Sequence, residues 1–278
     1  MTALTRRLCG ALASAAVLLP TAATGEIPAR IVTLAPSLTE IAYAIGCGPQ
    51  LVADTSYDDY PAAARRLPHV ADLITLDLER LAVLQPTAVV ALHDQEREAD
   101  PVVSRLGIPV KYLPNRKLDD LFADIAGVGE ACRRQQSAAA FARSLRVKLL
   151  QTTARARRYA THPRVLFLLD LPGFTVGKNS FLDDLIRLAG GVNVAGAINQ
   201  PYPNVSAEWL LGVNPDLIIV SRATPFDGAV RRTEPWRSLR AVQRGRVYRP
   251  PSDDIVQRNG PRIIEGLSWL VATLHAPP

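Results

Sequence analysis

Leu78-Glu-Arg-Leu-Ala-Val-Leu-Gln-Pro-Thr-Ala-Val-Val-Ala91 and Ala207-Glu-Trp-Leu-Leu-Gly-Val-Asn-Pro-Asp-Leu-Ile-Ile-Val220 follow one local plan. Each starts as a helix with Glu in its first turn, meets Pro seven residues later, and continues as a four-residue apolar run that reads as a buried strand. Proline lacks the N–H a helix interior needs, so it closes each helix and frees the chain to extend. Glu79 and Glu208 are 129 residues apart, and so are Pro86 and Pro215. Chance recurrence of a common pattern is the competing reading; two landmarks at one offset favour two related lobes.

The same logic extends outward. Arg30-Ile-Val-Thr-Leu-Ala35 reads as a buried strand, and Ser37-Leu-Thr-Glu40 as a capping box for a helix to about Ile45. Leu51-Val-Ala53 and Ala88 to Leu92 are further strands. In the second half, Arg164 to Leu169 is a strand, Ser180 caps a helix ending at Gly190-Gly191, and Val192-Asn-Val194 and Gly245-Arg-Val247 are extended. Strands alternating with helices predict parallel, helix-covered sheets. Between the halves, Arg134 to Tyr159 contains no Gly or Pro and has apolar residues at 138, 141, 145, 149 and 150. That spacing predicts one amphipathic helix of about 26 residues, near 39 Å long. The expected organisation is an α/β fold with an N-terminal lobe over 26–133, a connecting helix over 134–160 and a C-terminal lobe over 161–278.

Composition narrows the function. Of 278 residues, 48% are apolar and 21% charged, which excludes a disordered chain. A net charge of +6 without a dense Lys/Arg run gives no reason to expect nucleic acid. Arg6 and Arg7, the apolar run Leu8 to Leu19 and small residues at Ala23-Thr-Gly25 read as a secretory signal over 1–25, too short to span a bilayer. A buried N-terminal helix is the alternative. Export leaves Cys47 and Cys132 in an oxidising compartment, as a disulfide or as two buried thiols. Each ends a helix that descends from the same sheet edge, which favours a disulfide.

Gly173-Phe-Thr-Val-Gly-Lys-Asn-Ser180 imitates a phosphate-binding loop but fails its spacing, with Pro172 where the first glycine belongs. His69, His93, His162 and His275 show no paired metal-ligand spacing. No nucleophile motif appears, so neither catalysis, nor a cofactor, nor a bound metal is expected. Loops on the carboxyl edges of strands say more, because open parallel sheets bind ligands there. They hold His93, Ser56-Tyr-Asp-Asp-Tyr-Pro61, Pro172-Gly-Phe174, Gln200-Pro-Tyr-Pro203 and Tyr248 to Asp254. If the lobes face each other, these aromatics converge on a cleft suited to a large, partly flat ligand.

Residues 30–40, 56–61, 78–86 and 205–215 together resemble the substrate-binding proteins of ABC importers that have a single helical backbone, with the cobalamin-binding branch most similar. The resemblance covers nearly all of 30–275. It implies two Rossmann-like lobes joined by one long helix, with ligand between them, in a periplasmic protein expected to act as a monomer. It implies ligand contacts at Tyr57, Phe174, Tyr202 and Asp253; Pro36, Ser37, Asp58, Tyr60 and His93, beside the same strand ends, complete the expected ligand site. It also implies that Glu79 and Glu208 dock onto arginines of the inner-membrane permease, beside their plainer role in a helix's first turn. The chain departs from that branch in lacking a tryptophan near Leu73 and an aromatic after Ser252-Asp253. Haem or an iron–siderophore complex is therefore the alternative cargo, with Tyr57, Tyr60 or His93 placed to hold iron. A secreted α/β enzyme or a surface interaction module would need features that are not visible.

Overall fold

The computed structural model describes residues 29–72 and 75–277. The expected signal segment, with Cys9, and Leu73 lie outside the described residues. Ten strands form two sheets: β1 Ile31–Thr33, β2 Leu51–Thr55, β3 His69–Ala71, β4 Ala88–Leu92, β5 Val110–Leu113, β6 Arg164–Asp170, β7 Phe174–Thr175, β8 Val192–Asn193, β9 Leu217–Val220 and β10 Val247–Tyr248. The helices are α1 Pro36–Ala44, α2 Leu78–Leu84, α3 Glu96–Val103, α4 Asp120–Ala131, α5 Gln135–Ala156, α6 Phe181–Leu188, α7 Ala207–Val213, α8 Gly228–Arg231, α9 Arg240–Gln243, α10 Asp254–Gln257 and α11 Ile263–Leu274.

The first sheet has the order β3-β2-β1-β4-β5 and is parallel throughout. In the second, β10-β9-β6 are parallel, β8 joins β6 in parallel, and β7 pairs β6 antiparallel. Leu217–Val220 is fully buried and Val89–Ala91 likewise, as strands covered on both faces by helices must be. β3 and β5 lack a continuous apolar run, and β7 lies within the glycine-containing loop; none was legible as a strand.

The duplicated plan is reproduced at both of its ends. Asp77 caps α2 by accepting from the Arg80 N–H, and Ser206 caps α7 by accepting from the Trp209 N–H. Both helices close on a left-handed residue, Gln85 and Asn214, before the buried proline. Leu81 and Leu210 are the buried anchors of the two copies.

The spine α5 has 22 residues. Its buried residues Ala138, Leu145, Leu149 and Ala156 belong to one apolar core that runs from Ile31 and Leu38 in the first lobe to Phe167, Leu185 and Leu270 in the second. Separate cores cover the outer faces of the two sheets. A shared core and an unbroken helix make the lobes one packed body.

The two cysteines are joined, Cα atoms 6.0 Å apart, across 85 residues. Cys47 follows α1 and Cys132 is the C-cap of α4. Closing a loop of this length contributes about 4–5 kcal/mol in the chain-entropy model. The Cys47→Ala, Cys132→Ala double variant should lose several kcal/mol of stability against denaturant. An unchanged midpoint would mean the bond constrains little in the unfolded chain.

Candidate functional site

The carboxyl ends of β1, β2 and β4 open on a cavity of about 570 Å³. Leu34, Pro36, Tyr57, Leu76, Leu92 and Arg258 are among its walls. Pro36 begins α1 directly after β1, its fixed φ suited to a first helical position. The missed residue here is Gln95. Its amide donates to the Leu34 carbonyl at 2.7 Å and accepts from the Leu92 N–H at 2.8 Å, tying the β1 and β4 loops together.

The second lobe supplies Phe174 and Tyr202, ring centroids 6.4 Å apart. Burial, and then the Asp94 carboxylate, push the Tyr202 phenol upward, so this C-terminal-lobe ring is within electrostatic reach of a residue lining the N-terminal-lobe cavity. The glycines of the phosphate-loop mimic serve packing. A Cβ at Gly173 would stand 2.2 Å from the Val205 carbonyl oxygen, and one at Gly177 2.2 Å from that of Gln200. Small residues let the Phe174 strand press against the loop that carries Tyr202.

Other residues singled out in the sequence have partners within the protein. Glu40 is no capping residue: α1 begins at Pro36 with no side-chain cap, and Ser37 is buried inside its first turn, beside Gly260. The Asp58 carboxylate is buried beneath the cleft and accepts the Thr55 N–H and hydroxyl, which shapes the loop that presents Tyr57. Asp253 accepts from the Ser221 hydroxyl and the Arg222 N–H, both at 2.9 Å, so it holds the β9 loop. The His93 ring stacks near Tyr112, and its Nδ1 lies 3.4 Å from Glu96. Tyr60 faces a separate cavity of about 490 Å³ with Tyr43, Phe141 and Lys148. Its ring lies 4.2 Å under the Arg262 guanidinium.

An ion network divides the two cavities, and it was not visible in sequence. Glu40, 3% exposed, receives two bonds from Arg262, at 2.6 and 3.0 Å, and one from Arg258 at 3.3 Å. Arg258 also reaches Asp59 at 2.8 Å, Asp254 at 2.9 Å and the Tyr57 carbonyl at 3.3 Å. Asn259, between the arginines, donates to the Lys117 carbonyl and accepts through its own carbonyl from Asn115. The chain thus returns from the second lobe and locks onto the first.

Among the described residues, no cluster of three or more His, Cys, Asp or Glu could hold a metal ion. No helix among them is long and apolar enough to cross a membrane.

Residues 31–253 match the family model for periplasmic binding proteins. The chain belongs to this family. Its members deliver small molecules to ABC permeases and are binding proteins, not enzymes. A vitamin B12-binding protein of Yersinia pestis (strain Pestoides F) is 32% identical over 196 residues, 69% of each chain. The solved periplasmic vitamin B12 binding protein of Vibrio cholerae is 29% identical with a TM-score of 0.75, over 89% of this chain and 97% of that one. A solved periplasmic heme binding protein from Pseudomonas aeruginosa is 25% identical with a TM-score of 0.77, over 90% and 93%. Tyr57 lines the cavity at the edge of the first sheet, and Phe174 and Tyr202 lie together in loops of the second lobe.

Two expected outcomes follow from the charges. Removing one partner of a buried ion pair costs about 3–5 kcal/mol. Glu40→Ala should therefore lower stability by several kcal/mol; a loss below 1 kcal/mol in denaturant unfolding would show the arginines re-pair with solvent at no cost. The second concerns Asp54, fully buried and bonded to His69 Nδ1 at 2.7 Å. Burial first, and Asp58 beside it, raise its pKa to about 7 against the pull of His69. A raised carboxyl binds its proton more tightly folded than unfolded. Its contribution is full below the ordinary carboxylate range and is lost as pH rises through about 7. Unfolding measured from pH 5 to 8 should show falling stability, and Asp54→Asn should flatten the slope. A variant with the wild-type profile would assign the titration elsewhere.

Proposed function

We propose that this periplasmic binding protein captures a corrinoid of the cobalamin kind and delivers it to an inner-membrane ABC permease. The observation that carries the reading is the chemistry of the cleft wall. It combines aromatic rings with apolar residues, and its charges are already paired. Arg258, the one cation among the described residues lining the cavity, is spent on Glu40, Asp59 and Asp254. Asp94 is bound to Arg116 at 2.6 Å, and Asp72 accepts from the Thr75 N–H. Such a wall suits a large ligand with a neutral, amide-bearing rim better than haem with two propionates or an anionic siderophore. The 32% identity to a vitamin B12-binding protein supports the same cargo. Export by the 1–25 signal and action as a monomer complete the proposal.

Glu79 and Glu208 are the docking carboxylates in this reading. Both are exposed in the first turns of equivalent helices, one per lobe. Two contacts on one permease raise each other's effective concentration.

Titrating the purified protein with cyanocobalamin, cobinamide and haemin tests the cargo by visible absorbance. Tight binding of a corrinoid, weakened at least tenfold by Tyr57→Ala with Tyr202→Ala, is expected because buried aromatic contacts dominate such sites. Preference for haemin would replace the corrinoid with haem. Glu79→Arg with Glu208→Arg should keep affinity and abolish cellular uptake; normal uptake would leave these residues only their place in a helix's first turn.

A further inference from the structure

We propose that the exposed face of α5 docks the protein onto an anionic lipid bilayer. Between Glu130 and Asp170 the chain has no acidic residue and nine basic ones: Arg133, Arg134, Arg143, Arg146, Lys148, Arg155, Arg157, Arg158 and Arg164. Taking those nine from the total of 32 leaves 23 basic against 26 acidic side chains elsewhere. The net positive charge of the whole protein therefore resides in this one segment.

Its placement on the helix is regular. Arg143, Arg146, Val147, Leu150 and Ala154 recur at spacings of three and four, continue into Arg157 and Arg158 past the helix end, and are all exposed. That spacing is one helical stripe. Leu145, Leu149, Thr152 and Ala156 fill the opposite, buried stripe. Among the described residues no carboxylate pairs with a basic residue of α5; Arg146 rests over Phe122 and Arg155 donates to Thr152. At the middle of this cationic stripe two branched aliphatic side chains face water, Val147 at 52% and Leu150 at 65% exposure.

The chemistry points to lipid rather than to an acidic protein. The stripe is a convex ridge of one helix. Its residues line neither of the two cavities that border α5, so it offers no socket for a partner's side chain. Aliphatic side chains ringed by arginines suit the boundary of an anionic bilayer. There the apolar groups enter the headgroup layer while the guanidiniums pair with phosphates. Placement agrees. Helix α4 descends from the carboxyl edge of β5, α5 starts where it ends, and β6 starts after α5, so both ends of α5 lie on the edge opposite the cleft loops. A membrane under α5 leaves the cleft uncovered and points Glu79 and Glu208 away from the bilayer, so lipid docking and permease docking are successive, not simultaneous. The surface would hold the protein at the bilayer with its cleft open to cargo, whatever the cargo is.

The mature chain co-sedimented with phosphatidylglycerol–phosphatidylcholine vesicles tests this. Binding at low salt that fades with added salt, and none to pure phosphatidylcholine, is expected. Arg143→Glu with Arg157→Glu and Arg158→Glu should lower partitioning about a hundredfold. Val147→Ser with Leu150→Ser should lower it about tenfold at unchanged charge. Circular dichroism and the binding of cyanocobalamin or haemin, whichever the wild type binds, serve as folding controls. No binding to the anionic vesicles at low salt overturns the proposal. So does binding that survives the charge reversal, or binding that ignores the aliphatic substitutions and is matched by soluble polyglutamate, which would make the stripe a site for an acidic polymer.

Discussion

Glu40 is a carboxylate from the first helix, buried between two arginines that lie 218 and 222 residues further along the chain. Buried charges are costly unless every one is paired and hydrogen-bonded, and here Arg262 grips Glu40 through two nitrogens while Arg258 spreads over Glu40, Asp59 and Asp254. The network sits where the two lobes meet, and Arg258 projects from it into the wall of the cleft. The position of Tyr57 depends on it too, through the bond from Arg258 to the Tyr57 carbonyl. The same network thus ties the lobes together, braces the Tyr57 loop and uses up the one cation lining the cavity among the described residues.

The rest of the site is built on that constraint. The shared core through α5 and α11 joins the lobes from behind, and the seam from Asn115 to Leu118 joins them at the side. There the Arg116 carbonyl accepts from the Phe181 N–H, and the Leu118 N–H donates to Asp184. A body fastened at three places would hold the walls of the proposed cleft in place, which lowers the ordering cost of capturing a ligand. Its charged groups satisfy one another before any ligand arrives, so in the proposed reading recognition falls to ring faces, apolar walls and amides.

The lobes and their relation were legible because parallel strands buried on both faces leave continuous apolar runs, and because the Glu-to-Pro plan occurs twice. The spine was legible from its spacing and its lack of breakers, and it proved shorter at both ends than the breaker-free run. The site was only partly legible. Loops on strand edges put Tyr57, Phe174 and Tyr202 forward for the cleft. They also put forward Asp58, Tyr60 and Asp253, whose partners within the protein no local pattern announces. Ser37 to Glu40 had the spacing of a capping box, yet its glutamate serves arginines near the chain's end. Pairings over such separations are fixed by topology, and the residue string carries no mark of them.

Hydrogen–deuterium exchange with and without saturating cyanocobalamin tests the central claim most directly, that ligand is held between the lobes by these loops. The account predicts slowed exchange confined to 55–60, 92–95, 172–175 and 200–204, with the Glu40 helix and α5 unchanged because they are already fixed. Saturation that leaves those loops unprotected, or that protects the Tyr60–Phe141 cavity instead, would contradict it.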